Sequence, residues 1–335
     1  MKILVLNQSQ VRQLLPMKEC IDVMKMALKS LAGGNAEMPL RQAMWLPDRV
    51  GLLGMMPAFL RDLKVMGIKI VSVFPGNSDT EYDSHQGAVM LFDTEYGRPL
   101  AIIDATEITT IRTAAVSAVA TDLLARKDAG DLAILGVGTQ GREHLKAMRL
   151  VRKIHRVRVW DLNPDRSRRF AERESKKYSI KVEAMDAPHA AVSGADIICT
   201  TSAATEPILF GYWISDGAHI NAVGACFKTA RELDTQAVAR SKLFVDRRES
   251  TVNEAGDFIL AKEEGEIKDS HILGEVGDIL TGNLEGRKTD NEITLFESLG
   301  LAVEDIASAE YIYQKALEKD MGTSVELGGK RSSSD

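Results

Sequence analysis

Residues 131–144 read DLAILGVGTQGREH, an apolar run that enters three glycines spaced G-x-G-x-x-G, at Gly136, Gly138 and Gly141, and leaves through polar residues of helical character. With 26 glycines in 335 residues such a spacing also arises by chance, so its surroundings must decide. Here it closes a β-like run and opens a helix. In that setting glycines permit a tight turn and let a pyrophosphate approach free backbone N–H groups, where the helix dipole favours an anion. Candidate strands at 132–137, 156–160, 180–184, 195–200, 218–223 and 242–246 alternate with helical stretches around it. Six strands separated by helices predict an α/β fold with a doubly wound parallel sheet of Rossmann type.

The second of these strands ends in RVRVWD, which places Asp161 25 residues after Gly136. A carboxylate at that position accepts hydrogen bonds from the adenosine ribose and repels a 2′-phosphate, which favours NAD over NADP. The candidate cofactor set is Gly136, Gly138, Thr139, Gln140, Gly141 and Asp161, with Thr201 and Val223 at the ends of two later strands. Arg166, Arg168 and Arg169, just beyond Asp161, fit either a solvated helix face or a second way of holding a 2′-phosphate.

The first 130 residues read differently. A helix over 16–31 places Ile21, Met24, Leu28 and Leu31 on one face and stops at Gly33-Gly34. Strand-like runs follow at 65–73, 87–93 and 99–103, then a long helix over 105–126 rich in small residues. The polar stretch KDAGD (127–131) is a candidate domain junction, and the chain turns helical again after residue 300. Three cations stand among apolar or small neighbours: Arg41 in MPLRQAMWL, Lys69 in GIKIVSV and Arg112 in TTIRTAAVSA. An arginine fork binds a carboxylate bidentately, and a lysine beside arginines has a lowered pKa suited to proton exchange. An edge-strand lysine that discourages aggregation, and arginines that snorkel or pair internally, are equally open readings.

Composition narrows the function classes. Hydrophobic residues at 44% and charged residues at 27% are those of an ordinary globular chain, with only the tail GGKRSSSD expected to be loose. A net charge of −6 without a Lys/Arg block argues against nucleic acid or an acidic membrane and for small-molecule chemistry. The opening MKILVLNQSQ has too short an apolar run for a signal peptide, and no run of eighteen apolar residues occurs, so the chain reads as cytoplasmic. Cys20, Cys199 and Cys226 form no C-x-x-C, and no histidine pair stands at helical spacing with a carboxylate, so neither a disulfide framework nor a metal site is expected.

Read together, the stretches MPLRQAMWLPDRVGLLGMMPAF, SHQGAVMLFD, ITTIRTAAVSAVAT, ILGVGTQGREH, ATEPILFGYW, GAHINAVGA, RELD and ESLGLAVED make the chain similar to the ornithine cyclodeaminase and mu-crystallin family almost end to end. The resemblance implies an α+β domain of residues 1–114 and 305–335 that binds substrate and forms a homodimer, with a Rossmann domain of residues 115–304 inserted. It also implies that Arg41, Lys69 and Arg112 hold the carboxylate of a small amino or imino acid, Lys69 and Arg112 taking part in catalysis. Asp161 looks like the NAD-using members. Where cyclodeaminases carry a glutamate before MMP and an aspartate after NAVGG, this chain has Gly54 and Cys226, so ring closure with loss of ammonia lacks its acid/base groups. The expectation is an NAD(H)-dependent amino-acid dehydrogenase or ketimine reductase. A cyclodeaminase-type lyase and a crystallin-like nucleotide binder without turnover are the rivals.

Overall fold

The structure, a computed structural model, describes residues 1–329, so residues 330–335 of the tail expected to be loose lie outside it. Along the chain come β1 (Lys2–Leu6), α1 (Gln8–Leu14), α2 (Met17–Ala32), β2 (Ala36–Glu37), β3 (Gln42–Trp45), β4 (Leu52–Leu60), β5 (Val65–Val73), β6 (His85–Asp93), β7 (Pro99–Asp104) and α3 (Ala105–Leu124). There follow β8 (Asp131–Leu135), α4 (Thr139–Val151), β9 (Arg156–Trp160), α5 (Pro164–Tyr178), β10 (Lys181–Ala184), α6 (Pro188–Val192), β11 (Ile197–Thr200) and β12 (His219–Ala222). The last third holds α7 (Thr235–Arg240), β13 (Lys242–Val245), α8 (Arg248–Glu254), α9 (Gly256–Glu263), β14 (Ile272–Glu275), α10 (Val276–Thr281), β15 (Thr294–Glu297), α11 (Ala302–Glu318) and β16 (Thr323–Glu326). The chain divides into two units: Met1–Arg112 with Leu301 onward, and Thr113–Gly300. One cut falls inside α3. The KDAGD stretch therefore does not mark the junction; it is a turn within the second unit, because the later half of α3 is a buried row of small residues that includes Ala114, Ala115, Ala118 and Ala120.

In the first unit a mixed sheet runs in the order β16-β1-β7-β6-β5-β4-β2, with β3 also paired to β4. β4 to β7 form an antiparallel meander, while β1 lies parallel to β7. Alternation along the strands gives the sheet two different faces. Met56, Leu60, Val65, Lys69, Val89 and Leu91 are buried on the face that α11 covers. Opposite them lie the cross-strand pairs Met55–Ile70, Phe59–Met66, Ile68–Met90 and Met66–Phe92. Gly67 lets α11 approach closely: a Cβ there would stand 2.7 Å from Ile306 Cδ1 and from Met90 O. In α2, Ile21, Met24 and Leu28 are buried as the periodicity requires, and Gly34 ends the helix at φ +71°.

The second unit is built on eight parallel strands in the order β10-β9-β8-β11-β12-β15-β13-β14. All six strands read from the sequence are present, β9 with the bounds read and the others shifted or trimmed by one or two residues at their ends. β14 and β15 were not foreseen. Each has four residues, and β15 sits in the middle of the sheet with its Leu295 and Phe296 fully buried.

Candidate functional site

The glycine loop lies between β8 and α4, at the carboxyl end of a central strand, where open α/β sheets bind ligands. Gly136 sits at φ +97°, and a Cβ on it would come within 2.7 Å of Thr201 O. A Cβ on Gly141 would meet Gly136 O at 2.3 Å, so the first and third glycines serve the turn and the helix–strand packing. Gly138 is open, with only Arg166 Nη2, at 3.7 Å, near a Cβ built there. It is also the N-cap of α4 and supplies no side chain to the first-turn N–H groups. Nearby, Gln140 Oε1 is buried without a hydrogen-bond partner. An open glycine and an uncapped helix start fit a dinucleotide pyrophosphate.

Asp161 closes β9 beside this loop. Its Oδ2 accepts from Val137 N at 3.0 Å and its Oδ1 from Asn163 N at 3.1 Å. The side chain thus fastens the glycine loop, and each carboxylate oxygen keeps a further lone pair for a ribose hydroxyl. Thr201 Oγ1 donates to Gly136 O at 2.7 Å, and Val223 N to Thr200 O at 3.1 Å, which ties the ends of β11 and β12 to the same loop. Of the arginines in question, Arg168 pairs with Asp165 on an exposed stretch of α5, whereas Arg166 stands 4.0 Å from Asp161.

In the first unit the cations converge. Lys69 is 3% exposed, and its Nζ lies 2.6 Å from Asp305 Oδ2. Arg112 Nε donates to Asp305 Oδ1 and Nη1 to Glu304 Oε2, both at 3.0 Å. Burial lowers the Lys69 pKa to about 8; Asp305 opposes the shift, and the charges of Arg112 and Arg41 add to it. Lys69 and Arg112 thus share the two carboxylates of Glu304 and Asp305, with the charge of Arg41 also acting on Lys69. The anion clamp read from the sequence is therefore already partly filled from within. Sequence reasoning missed Glu304 and Asp305. Their signal was an acidic pair inside the apolar stretch AVEDIASA, which buries both side chains completely at the start of α11.

The two departures are also placed. Gly54 lies opposite Val71 across β4 and β5, and a Cβ there would stand 3.3 Å from Val71 Cγ1, so the position has little room for a longer side chain. Cys226, half-buried, donates its thiol to Val223 O at 3.3 Å. Neither residue brings a carboxylate.

Comparison with known proteins identifies the family. The chain is 36% identical to a Delta(1)-pyrroline-2-carboxylate reductase of Bacillus cereus, over 97% of its own length and 100% of that protein's. The structure of the Thermococcus litoralis Delta(1)-pyrroline-2-carboxylate reductase in complex with NADH and L-proline superposes with a TM-score of 0.93 at 40% identity, covering 96% of this chain and 99% of that one. An archaeal alanine dehydrogenase dimer with bound NAD gives the same TM-score at 32% identity, covering 98% and 100%. Residues 1–320 match the description "Ornithine cyclodeaminase/mu-crystallin family", and the chain belongs to that family.

Proposed function

We propose that this chain is an NAD(H)-dependent reductase of a cyclic α-imino acid, working in reverse as an amino-acid dehydrogenase. The observation that carries the reading is the buried Lys69, held against Asp305 and under the influence of two arginine charges, with its pKa lowered to about 8. Delta(1)-pyrroline-2-carboxylate, the substrate named for the relatives, has the required features: a C=N bond beside a carboxylate.

Arg41 and Arg112 hold the substrate carboxylate and fix the plane of the adjoining C=N bond. Lys69 carries a proton at Nζ whose hold is weakened by burial, and it passes that proton to the imine nitrogen, which becomes the amine of the product. NADH, when bound, supplies the hydride that the α-carbon takes up. Asp161 favours NADH over NADPH, because a 2′-phosphate placed beside its carboxylate is repelled. No helix among the described residues is long and apolar enough to cross a membrane.

A homodimer is part of the reading. The apolar pairs on the uncovered face of β4 to β7 include Met66 and Ile70, which are 37% and 41% exposed, and a second copy of this chain is the occupant that suits them. The test of the activity is a panel of cyclic imino acids and free amino acids followed at the NADH absorbance band, with ammonia assayed in parallel. The reading expects NADH consumption with a cyclic imino acid and no ammonia. Proline and ammonia made from ornithine without accumulating NADH replace it with a cyclodeaminase, and nucleotide retained without turnover replaces it with a binding protein.

A further inference from the structure

The RELD stretch (231–234) has so far no part in the chemistry. Glu232 is fully buried in the second unit. Its Oε1 accepts from both Ser202 N and Ser202 Oγ at 2.6 Å, and its Oε2 from Gly224 N at 2.7 Å. Ser202 follows Thr201, and Gly224 follows Val223, so one carboxylate pins the backbone immediately after both strand-end residues of the candidate cofactor set. Gly224 is shaped for this: a Cβ there would stand 2.2 Å from Ser202 O and 2.6 Å from Glu232 Oε2. Glu232 is itself oriented by Asp257, whose Oδ1 accepts from Glu232 N at 2.8 Å and Leu233 N at 2.9 Å.

The sheet order gives this cluster a direction. β8, which carries the glycine loop, is central; β9 and β10 lie to one side, β11, β12 and β15 to the other. In a doubly wound dinucleotide fold the adenosine half lies over the first group and the nicotinamide half over the second. The carboxylate joins the ends of β11 and β12, on the second side. The Thr200 hydroxyl at the end of β11 also bonds the carboxylate, and Thr201 carries the link on to Gly136.

We propose that Glu232 is the positioning residue for the nicotinamide half of the dinucleotide, setting the separation of the Thr201–Ser202 and Val223–Gly224 segments that flank it. This rests on the dinucleotide reading of the second unit. Glu232→Gln turns one accepting oxygen into a donor that opposes a backbone N–H, while leaving the glycine loop untouched.

The experiment titrates NADH by its fluorescence and ADP by calorimetry, on the wild-type chain, Glu232→Gln and Ser202→Ala. The proposal expects NADH affinity to fall about tenfold in Glu232→Gln and roughly threefold in Ser202→Ala, as one charged or one hydroxyl hydrogen bond is lost, with ADP affinity unchanged in both. Equal weakening of NADH and ADP, or no change in either, overturns it. If thermal unfolding shows that Glu232→Gln does not fold, Ser202→Ala decides by the same criterion. Failure of the wild-type chain to bind NADH or ADP at all overturns the dinucleotide reading instead, and is told apart from a failure confined to the variants.

Discussion

At the scale of single residues, Asp305 is the side chain that most changes the picture. It bonds Lys69 and Arg112 at once and is the chief influence opposing the loss of the Lys69 proton. With the Lys69 pKa lowered to about 8, the imine-reducing kcat/KM should fall as pH rises through about 8, while the amino-acid-oxidising one rises. Asp305→Asn should move both limbs to lower pH, and pH profiles that stay in place would remove Lys69 from proton transfer. Arg112→Ala takes a buried cation away from both Glu304 and Asp305, so it should cost about 3–5 kcal/mol of stability as well as activity. Arg41→Ala is the cleaner probe: kcat/KM for a carboxylate substrate should drop roughly a hundredfold with the melting temperature and NADH affinity nearly unchanged. Asp161→Ala should narrow the preference for NADH over NADPH and also weaken NADH itself, since the same carboxylate holds Val137 N. Arg41, Lys69 and Arg112 were legible as isolated cations in apolar settings. Their partners were not, because nothing local in a sequence says that residues 193 positions apart meet.

At the scale of elements, what was legible followed from length and pattern. The nine-residue β5 and the sixteen-residue α2 were read nearly to their ends. β4 was missed although it also has nine residues, because LLGMMPAFL is poor in β-branched side chains and carries a proline. β14 and β15 were missed although β10 to β13, equally four residues long, were read, so length alone does not decide legibility. The ends of the central strands also gather Asp246, Glu297 and Asp257 with Glu232, all buried. Burial raises the Asp257 pKa from 3.8 to about 7, and burial with the neighbouring Asp257, Asp246 and Glu232 charges raises that of Glu297. A carboxyl whose pKa is higher folded than unfolded binds more protons in the native state, so its stabilising effect is complete below the unfolded pKa and is lost as pH rises. Stability should therefore decline between about pH 4 and pH 7, and Asp257→Asn should flatten that decline. The variant keeps an oxygen for Glu232 N and Leu233 N, and thermal melts across this range read the slope. A slope unchanged in the variant would assign the effect elsewhere.

At the scale of the whole molecule, the family and the Rossmann sheet were legible because one glycine loop and six strands agree with motifs spread from end to end. The uncovered apolar face of the first unit was hidden, since strand register decides which alternate residues share a face. If a second copy covers it, Ile70→Asp should turn a dimer into a monomer by light scattering, and a wild-type chain that is already monomeric would dismiss the interface. The central claim is that hydride ends on the α-carbon of a product that leaves the enzyme. It is tested most directly with NADH deuterated at its transferable position, a cyclic imino acid and mass spectrometry of the amino acid formed. The amino acid should carry one deuterium at the α-carbon, with one NADH consumed for each product molecule. Unlabelled product, or product formed with NADH undiminished, would contradict it.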